Sequence, residues 1–501
     1  MRTAAPKLAL CVAAVALSGC WSGVVWYGKT PDRSREVAVL QDMRGQRVRV
    51  GGDDQKIYPA IGVESIAWSP DGAHLAYAAR SPSGWLIVRD GVESRVVEGV
   101  GQVLWSPDGK HLAAAVERGG RWMVYRDEFE EPSVETLRAR SMRFSEDGEH
   151  FGYVGDEARK VVAVIDGVKS APYDTIGHLV FSPRGSSAFA ARRGAESFVV
   201  VGGKEHGPYE DIAGLSFSPT GRRLAWIASK EDGWFVIEAG SERGPFDRVS
   251  GLVWSPKGDN LAYGVGGRVG EWVVREGKPG RAFEGILPGS LRFDPSGAHI
   301  AYAVRALRAW RVVVDEEAGA PYEDLEAPLF VGDSAVTAHL ARRGEATFLV
   351  VDGHQGPVES NASGLVLSPD GTRFLYTANA GLAVRVVEGR IEGGPCGGGQ
   401  CRPTVTRVTT HDTVIGGTLV WSDSGQTSGY LAGQRIGHRM FLVTDGVPGA
   451  ELDLAELMAG VTVNPDLAGA LTGDSKALTD WVRAEVTLAE KRDPSKAPKQ
   501  K

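Results

Sequence analysis

The sequence predicts an all-β fold, a β-propeller of four-stranded antiparallel blades, on three observations. An aromatic residue followed by Ser-Pro-x-Gly or a close variant starts at Trp68, Trp105, Phe144, Phe181, Phe217, Trp254 and Phe293, at spacings of 36 to 39 residues. Each period parses into four short strands separated by turn residues. The apolar pattern gives each sheet two greasy faces, which a lone sheet cannot keep in water and which radially stacked neighbours cover for one another.

The first strand ends at the anchor aromatic, as in Ser65-Ile66-Ala67-Trp68. In the turn that follows, proline is pre-set for the second position and glycine is free to take positive φ, so the chain reverses tightly. The second strand alternates large and small residues, and the small ones recur at Ala113, Gly152, Ala225, Ala262 and Ala301, giving a flat face for the next sheet. The third strand is a continuous apolar run, as in Trp85-Leu86-Ile87-Val88 and Phe198-Val199-Val200-Val201, which suits a strand covered on both sides. Asp-Gly or Gly-Gly pairs (Asp90-Gly91, Asp166-Gly167, Gly202-Gly203, Asp352-Gly353) then turn the chain into a fourth strand.

Worn copies follow at Phe330, Leu367 and Trp421, with a further first copy at Trp26 and a last near Asn464. Ten to twelve units exceed the usual ring, so two tandem six-bladed rings are expected, 20–249 and 250–490, with one large ring of ten or more blades as the alternative. An insertion at about 389–417 breaks the period and reads as a long loop, a form that is often functional. The end, 491–501, is a basic, unstructured tail. The aromatic-Ser-Pro-Asp-Gly turn followed by an apolar strand resembles the TolB-type, WD-like propeller repeat over roughly residues 26 to 480. That resemblance implies the fold and says almost nothing of function; the separate α/β domain of TolB has no counterpart here.

At the N-terminus, Arg2 and Lys7 precede an apolar run from Leu8 to Leu17, too short to span a bilayer. It reads as an export signal over 1–19. The ending Leu17-Ser18-Gly19-Cys20 resembles the bacterial lipoprotein lipobox, which implies cleavage after Gly19 and lipid on Cys20. Trp21 follows, with no aspartate to direct inner-membrane retention, so the expected location is the outer membrane, on its periplasmic face or at the cell surface. Losing the leader's two positive charges takes the formal charge from −7 to −9, which gives no general attraction to nucleic acid. Of four cysteines, Cys11 leaves with the leader and Cys20 carries lipid; Cys396 and Cys401 read as a disulfide across a glycine loop, the alternative being half of a metal site with His411.

No G-x-S-x-G elbow and no phosphate loop occurs in the chain. His74, His111, His150 and His299 each follow their anchors by six residues, so they fall on different blades and read as structural. The acidic pairs Glu130-Glu131, Asp156-Glu157, Glu231-Asp232 and Glu316-Glu317 read as solvated turns. No catalytic, metal-binding or cofactor-binding residue is expected. An acid does recur after the fourth strand at Glu98, Glu135, Asp174, Glu210, Asp247, Glu284, Glu323 and Glu359, five times behind Tyr or Phe. Each either caps backbone N–H groups of its own loop or belongs to a negative collar for a basic envelope partner. The expected function is a lipid-anchored, non-catalytic platform for protein interaction in the cell envelope; the rival is a propeller that binds a glycan or small ligand in its central channel, with or without hydrolysis. The oligomeric state is not legible.

Overall fold

The computed structural model describes residues 23–31, 35–127, 129–393, 401–434, 439–453 and 475–492. Gly19, Cys20, Cys396, Asn464 and the tail beyond Arg492 lie outside them. The described chain forms eleven antiparallel sheets, each with a path of four hydrogen-bonded strands in chain order, and one helix, α1 (Ser475–Arg492). These are the propeller blades that the repeat requires. The compact units divide at Pro208/Tyr209, between the fifth and sixth sheets; the first unit holds five sheets and the second holds six and α1.

The second sheet shows how a repeat becomes a blade. Its strands are Ala60–Trp68, Leu75–Ser81, Gly84–Arg89 and Val92–Glu93. At the turn Gly72 takes φ +70° and donates its N–H to Ser69 O at 2.8 Å. Ser69 Oγ, with no exposure, accepts His74 N–H at 2.9 Å and donates to Asp71. In the Phe293 copy serine and aspartate have exchanged places, and Asp294 accepts His299 N–H at 2.7 Å and Ser296 N–H at 3.2 Å. The copy at Phe330 lacks proline but still closes, through Val331 N–H to Val336 O at 2.9 Å. The backbone bond across the turn is thus common to all three copies, and a side-chain acceptor at the serine position reinforces it where one is present.

Successive sheets within a unit cover each other's faces. Val37, Val39 and Val48 of the first sheet pack on Tyr77, Leu86 and Val88 of the second, and the second meets the third through Ile87, Val103, Trp105 and Val116. The small residues of the second strand make this approach possible: a Cβ on Gly152 would lie 2.6 Å from Leu179 Cδ2 and 2.9 Å from Val164 O. The anchor aromatics join sheets, with Trp105 Nε1 donating to Ala67 O at 3.1 Å and the Arg89 guanidinium 4.8 Å from the Trp105 ring. Such cation–π contacts recur for Arg223 on Trp254 and Arg373 on Trp421.

Three expectations need correction. The described parts of the insertion are not all loop: they lengthen two strands of the tenth sheet to Ala383–Glu392 and Arg402–His411, and Ile391 packs among Val331, Phe374 and Cys401. Residues 475–492 are helical and not part of a blade, because every third or fourth residue there is apolar (Leu478, Val482, Val486) while the turn punctuation of the repeats has ended. Val482 and Val486 are fully buried against Val420, Leu431 and Met440 of the eleventh sheet, on the face opposite its contact with the tenth. Lastly, Glu131, Asp156 and Glu157 are no solvated turn residues. Glu131 is buried on Arg126 at 3.0 Å, and Asp156 and Glu157 sit in the strand Phe151–Glu157, paired with Arg138 and Arg121.

Gly429 is the contact point of the helix, since a Cβ there would lie 2.0 Å from Val486 Cγ2. Gly429→Val is therefore expected to lift α1 without altering its sequence, at a cost of about 2 kcal/mol in lost apolar burial. Limited proteolysis should then cut within 475–492 at least tenfold faster than in the wild type while the sheets stay protected; unchanged protection would show that α1 is not held by this face.

Candidate interaction site

In every sheet the turn joining the second and third strands and the link into the next sheet lie at the same end, because strands alternate in direction. The recurring acids sit in that link. Seven of them, Glu98, Glu135, Asp174, Glu210, Asp247, Glu284 and Glu323, are exposed, and each donates its own N–H to a second-strand carbonyl, as Glu98 does to Glu117 O at 2.9 Å. The residue before each acid is held inside, as shown by the bridges Trp85 to Val97, Val161 to Tyr173 and Trp310 to Tyr322. That explains the aromatic before the acid: the ring is core, and the next residue must point out.

The carboxylates also cap turns. Glu98 accepts Gly119 N–H at 2.9 Å and Gly120 N–H at 3.3 Å, Asp174 accepts Gly194 N–H at 2.7 Å, and Glu284 accepts Leu307 N–H at 2.8 Å. These backbone donors hold the Glu98 carboxyl below its ordinary value, as the Gly194 N–H and then Lys160 do for Asp174. A carboxylate has four lone-pair positions, so capping leaves acceptor capacity facing solvent. Glu359 differs from the other seven. It pairs with Thr347 as Val97 pairs with Trp85, one register earlier than the true acid position, and it is buried on Arg385. The run of residues before it hides this offset in the sequence.

The four histidines stay on their own sheets. His74 Nδ1 meets Asp90 Oδ2 at 2.9 Å, and His111–Asp127 and His150–Asp166 do the same at 2.8 Å; His299 pairs with Asp315. The second aspartate oxygen takes the N–H of the residue after the histidine, as in Leu75 N to Asp90 Oδ1 at 2.9 Å. The pair thus staples the two turns at one end of its sheet. Cys401 is buried and disulfide-bonded, and His411 hydrogen-bonds Tyr430 OH at 2.9 Å, so these two do not share a metal. Among the described residues no group of three or more His, Cys, Asp or Glu side chains is placed to hold an ion.

A feature absent from the sequence reading is a cleft of about 400 Å³ at the acid-bearing end, between the ninth and tenth sheets. Asp324, Arg342 and Thr347, neighbours across three strands, form one wall; Asn361, Ser363 and Asn379 form the other, above buried Leu340. Glu326 spans the two sheets, accepting Gly364 N–H at 3.0 Å. The sequence signal was there: acids at 324 and 326 accompany the usual Glu323, and the same sheet has lost its Ser-Pro turn and its second-strand aromatic, replaced by His339.

His339 stands where other sheets have Tyr77, Tyr153, Trp226 or Tyr302. It is buried, its ring edge-on to Tyr322 at 5.8 Å, and neither ring nitrogen has a hydrogen-bond partner. Burial lowers its pKa to about 4. Above the unfolded value of about 6.5 the ring is neutral in both states and stability is complete. As pH falls from there toward 4 only the unfolded chain takes the proton, so stability declines through that window, by about 3 kcal/mol in all. Urea unfolding at pH 7 and pH 4 should show His339→Phe losing about that much less than the wild type; parallel losses would refute the assignment.

No family model matches the chain, and no curated protein is similar to it in sequence. Among solved structures, a crystal structure of a eukaryotic initiation factor is 12% identical, with 75% of this chain and 96% of that one covered at a TM-score of 0.36. The dihydro-heme d1 dehydrogenase NirN is 11% identical over 88% of this chain and 76% of its own at 0.27, and the Dos1 propeller 11% over 56% and 89% at 0.24. Superpositions this loose add nothing to the argument; the sheets themselves define a chain of β-propeller blades.

Proposed function

We propose that this chain is a lipid-anchored, non-catalytic β-propeller of the cell envelope that serves as a platform for protein interaction, with its blades arranged as tandem rings. The anchoring part of this reading is supported by the Leu17-Ser18-Gly19-Cys20 ending and by the lone cysteine it places at the mature N-terminus; several acyl chains on one residue hold a protein firmly. The binding part is carried by one observation: within each unit successive sheets present an exposed carboxylate at the same position of the same end, Glu98, Glu135 and Asp174 in the first and Glu210, Asp247, Glu284 and Glu323 in the second. Such a repeated field attracts a basic surface and speeds its encounter. Links and turns held by rigid sheets are where propellers gain function without changing their core.

Two measurements test this. Labelled palmitate should be incorporated into the wild type and lost in Cys20→Ala; no labelling of the wild type would remove the anchor. Affinity capture from solubilised envelopes with the intact lipoprotein should recover a basic protein, and Glu284→Gln with Glu323→Gln should reduce that recovery at least fivefold, with further loss in high salt. Undiminished recovery would show that the acids serve their turns alone, and loss of sugar binding in place of a protein would favour the small-ligand alternative.

A further inference from the structure

The second residue of the third strand lies at the gap between neighbouring sheets at the acid-bearing end, and six sheets fill or bridge the gap with it. Trp85, Trp122, Trp234 and Trp310 each lay an indole into the gap toward the following sheet, Trp85 among Val97 and Val103, Trp310 among Tyr322 and Leu325. Gln46 and Glu271 instead bridge the gap by accepting the N–H of Ile61 at 2.7 Å and of Ile286 at 2.6 Å. In the ninth sheet the residue is Thr347, fixed by register: it faces Arg342 as Trp85 faces Arg80 and as Trp310 faces Arg305. Its side chain is too short to fill the gap and makes no hydrogen bond across it among the described residues. Val161 and Ser197 are equally short at this position in the fourth and fifth sheets; in the ninth, the place beside Thr347 opens into the cleft of about 400 Å³.

The walls of that cleft suit an indole. In the second sheet the Arg80 guanidinium stands 6.0 Å from the Trp85 ring centre, and Arg342 occupies the same register position beside the cleft, its side chain 43% exposed and able to lie over a ring. Asp324 is 61% exposed; its Oδ1 accepts the N–H of Leu325 at 3.0 Å, while Oδ2 stands 3.6 Å from Arg342, beyond a hydrogen bond, and is available to an indole N–H. Buried Leu340, which packs with Leu349 and Phe374 on the face toward the tenth sheet, supplies an apolar floor. We propose that the cleft between the ninth and tenth sheets is a receptor for an indole ring, the tryptophan side chain of a protein partner, which enters the place that four other sheets fill with their own. A tryptophan anchored in a pocket with a polar rim is the usual form of an interaction hot spot.

This deepens the platform reading and rests on it only for the source of the ring. Calorimetric titration of the purified full chain with N-acetyltryptophanamide, with free indole and with a pentapeptide centred on tryptophan tests the cleft without any partner. Saturable binding is expected for the wild type, with the peptide at least as tight as the amide, and at least tenfold weaker binding for Thr347→Trp, whose own indole fills the gap and whose melting temperature should be no lower. The surface changes Arg342→Ala and Asp324→Asn should each weaken binding severalfold, and they carry the test should Thr347→Trp fail to fold. Absence of saturable binding, or equal binding by Thr347→Trp, overturns the proposal. Free indole binding tenfold tighter than the peptide overturns its protein source. Either result leaves the outcome of the capture with acid variants standing on its own.

Discussion

A four-stranded sheet with two apolar faces has to be covered on both, and most of this chain follows from that constraint. The second strand carries alanine or glycine where the neighbouring sheet comes closest, and the third carries valine and isoleucine that interdigitate across the gap. Polar groups are pushed to the two ends of each sheet. There they cannot be left unpaired while partly buried, so each end develops its own bonding scheme: Ser-x-Asp turns and His–Asp staples at one, backbone-capping acids at the other.

The same constraint explains α1. The eleventh sheet has one face on the tenth and would leave Val420, Leu431 and Met440 bare on the other; the amphipathic helix covers them. Repeat arrays commonly end on a unit of different character for this reason. Contacts of Thr479 Oγ1 with Gly417 O and of Ser424 Oγ with Glu490 fix the helix at both ends.

Function attaches to departures from the repeat. The ninth sheet breaks it at the lost Ser-Pro turn at 331–334 and at the histidine at 339, carries the short Thr347 at its edge, and shares a polar-walled cleft with the tenth. A repeated blade offers the same surface many times, which suits a field of charge; a single altered blade offers one distinct place, which suits recognition of one group. The two properties coincide at one end of the sheets because links and hairpin turns meet there.

The sequence by itself determined the blades, their strand order, the turn chemistry and the isolation of the four histidines, because each depends on residues within one period of about 37 positions and on alternation that any sheet obeys. Only the tertiary structure decided what lies between periods. The offset of Glu359, the cleft beside Thr347, the helix closing the last sheet and the lengthened strands at 383–411 all depend on pairing register and on which face meets which, distances set by packing across a gap and not by spacing along the chain.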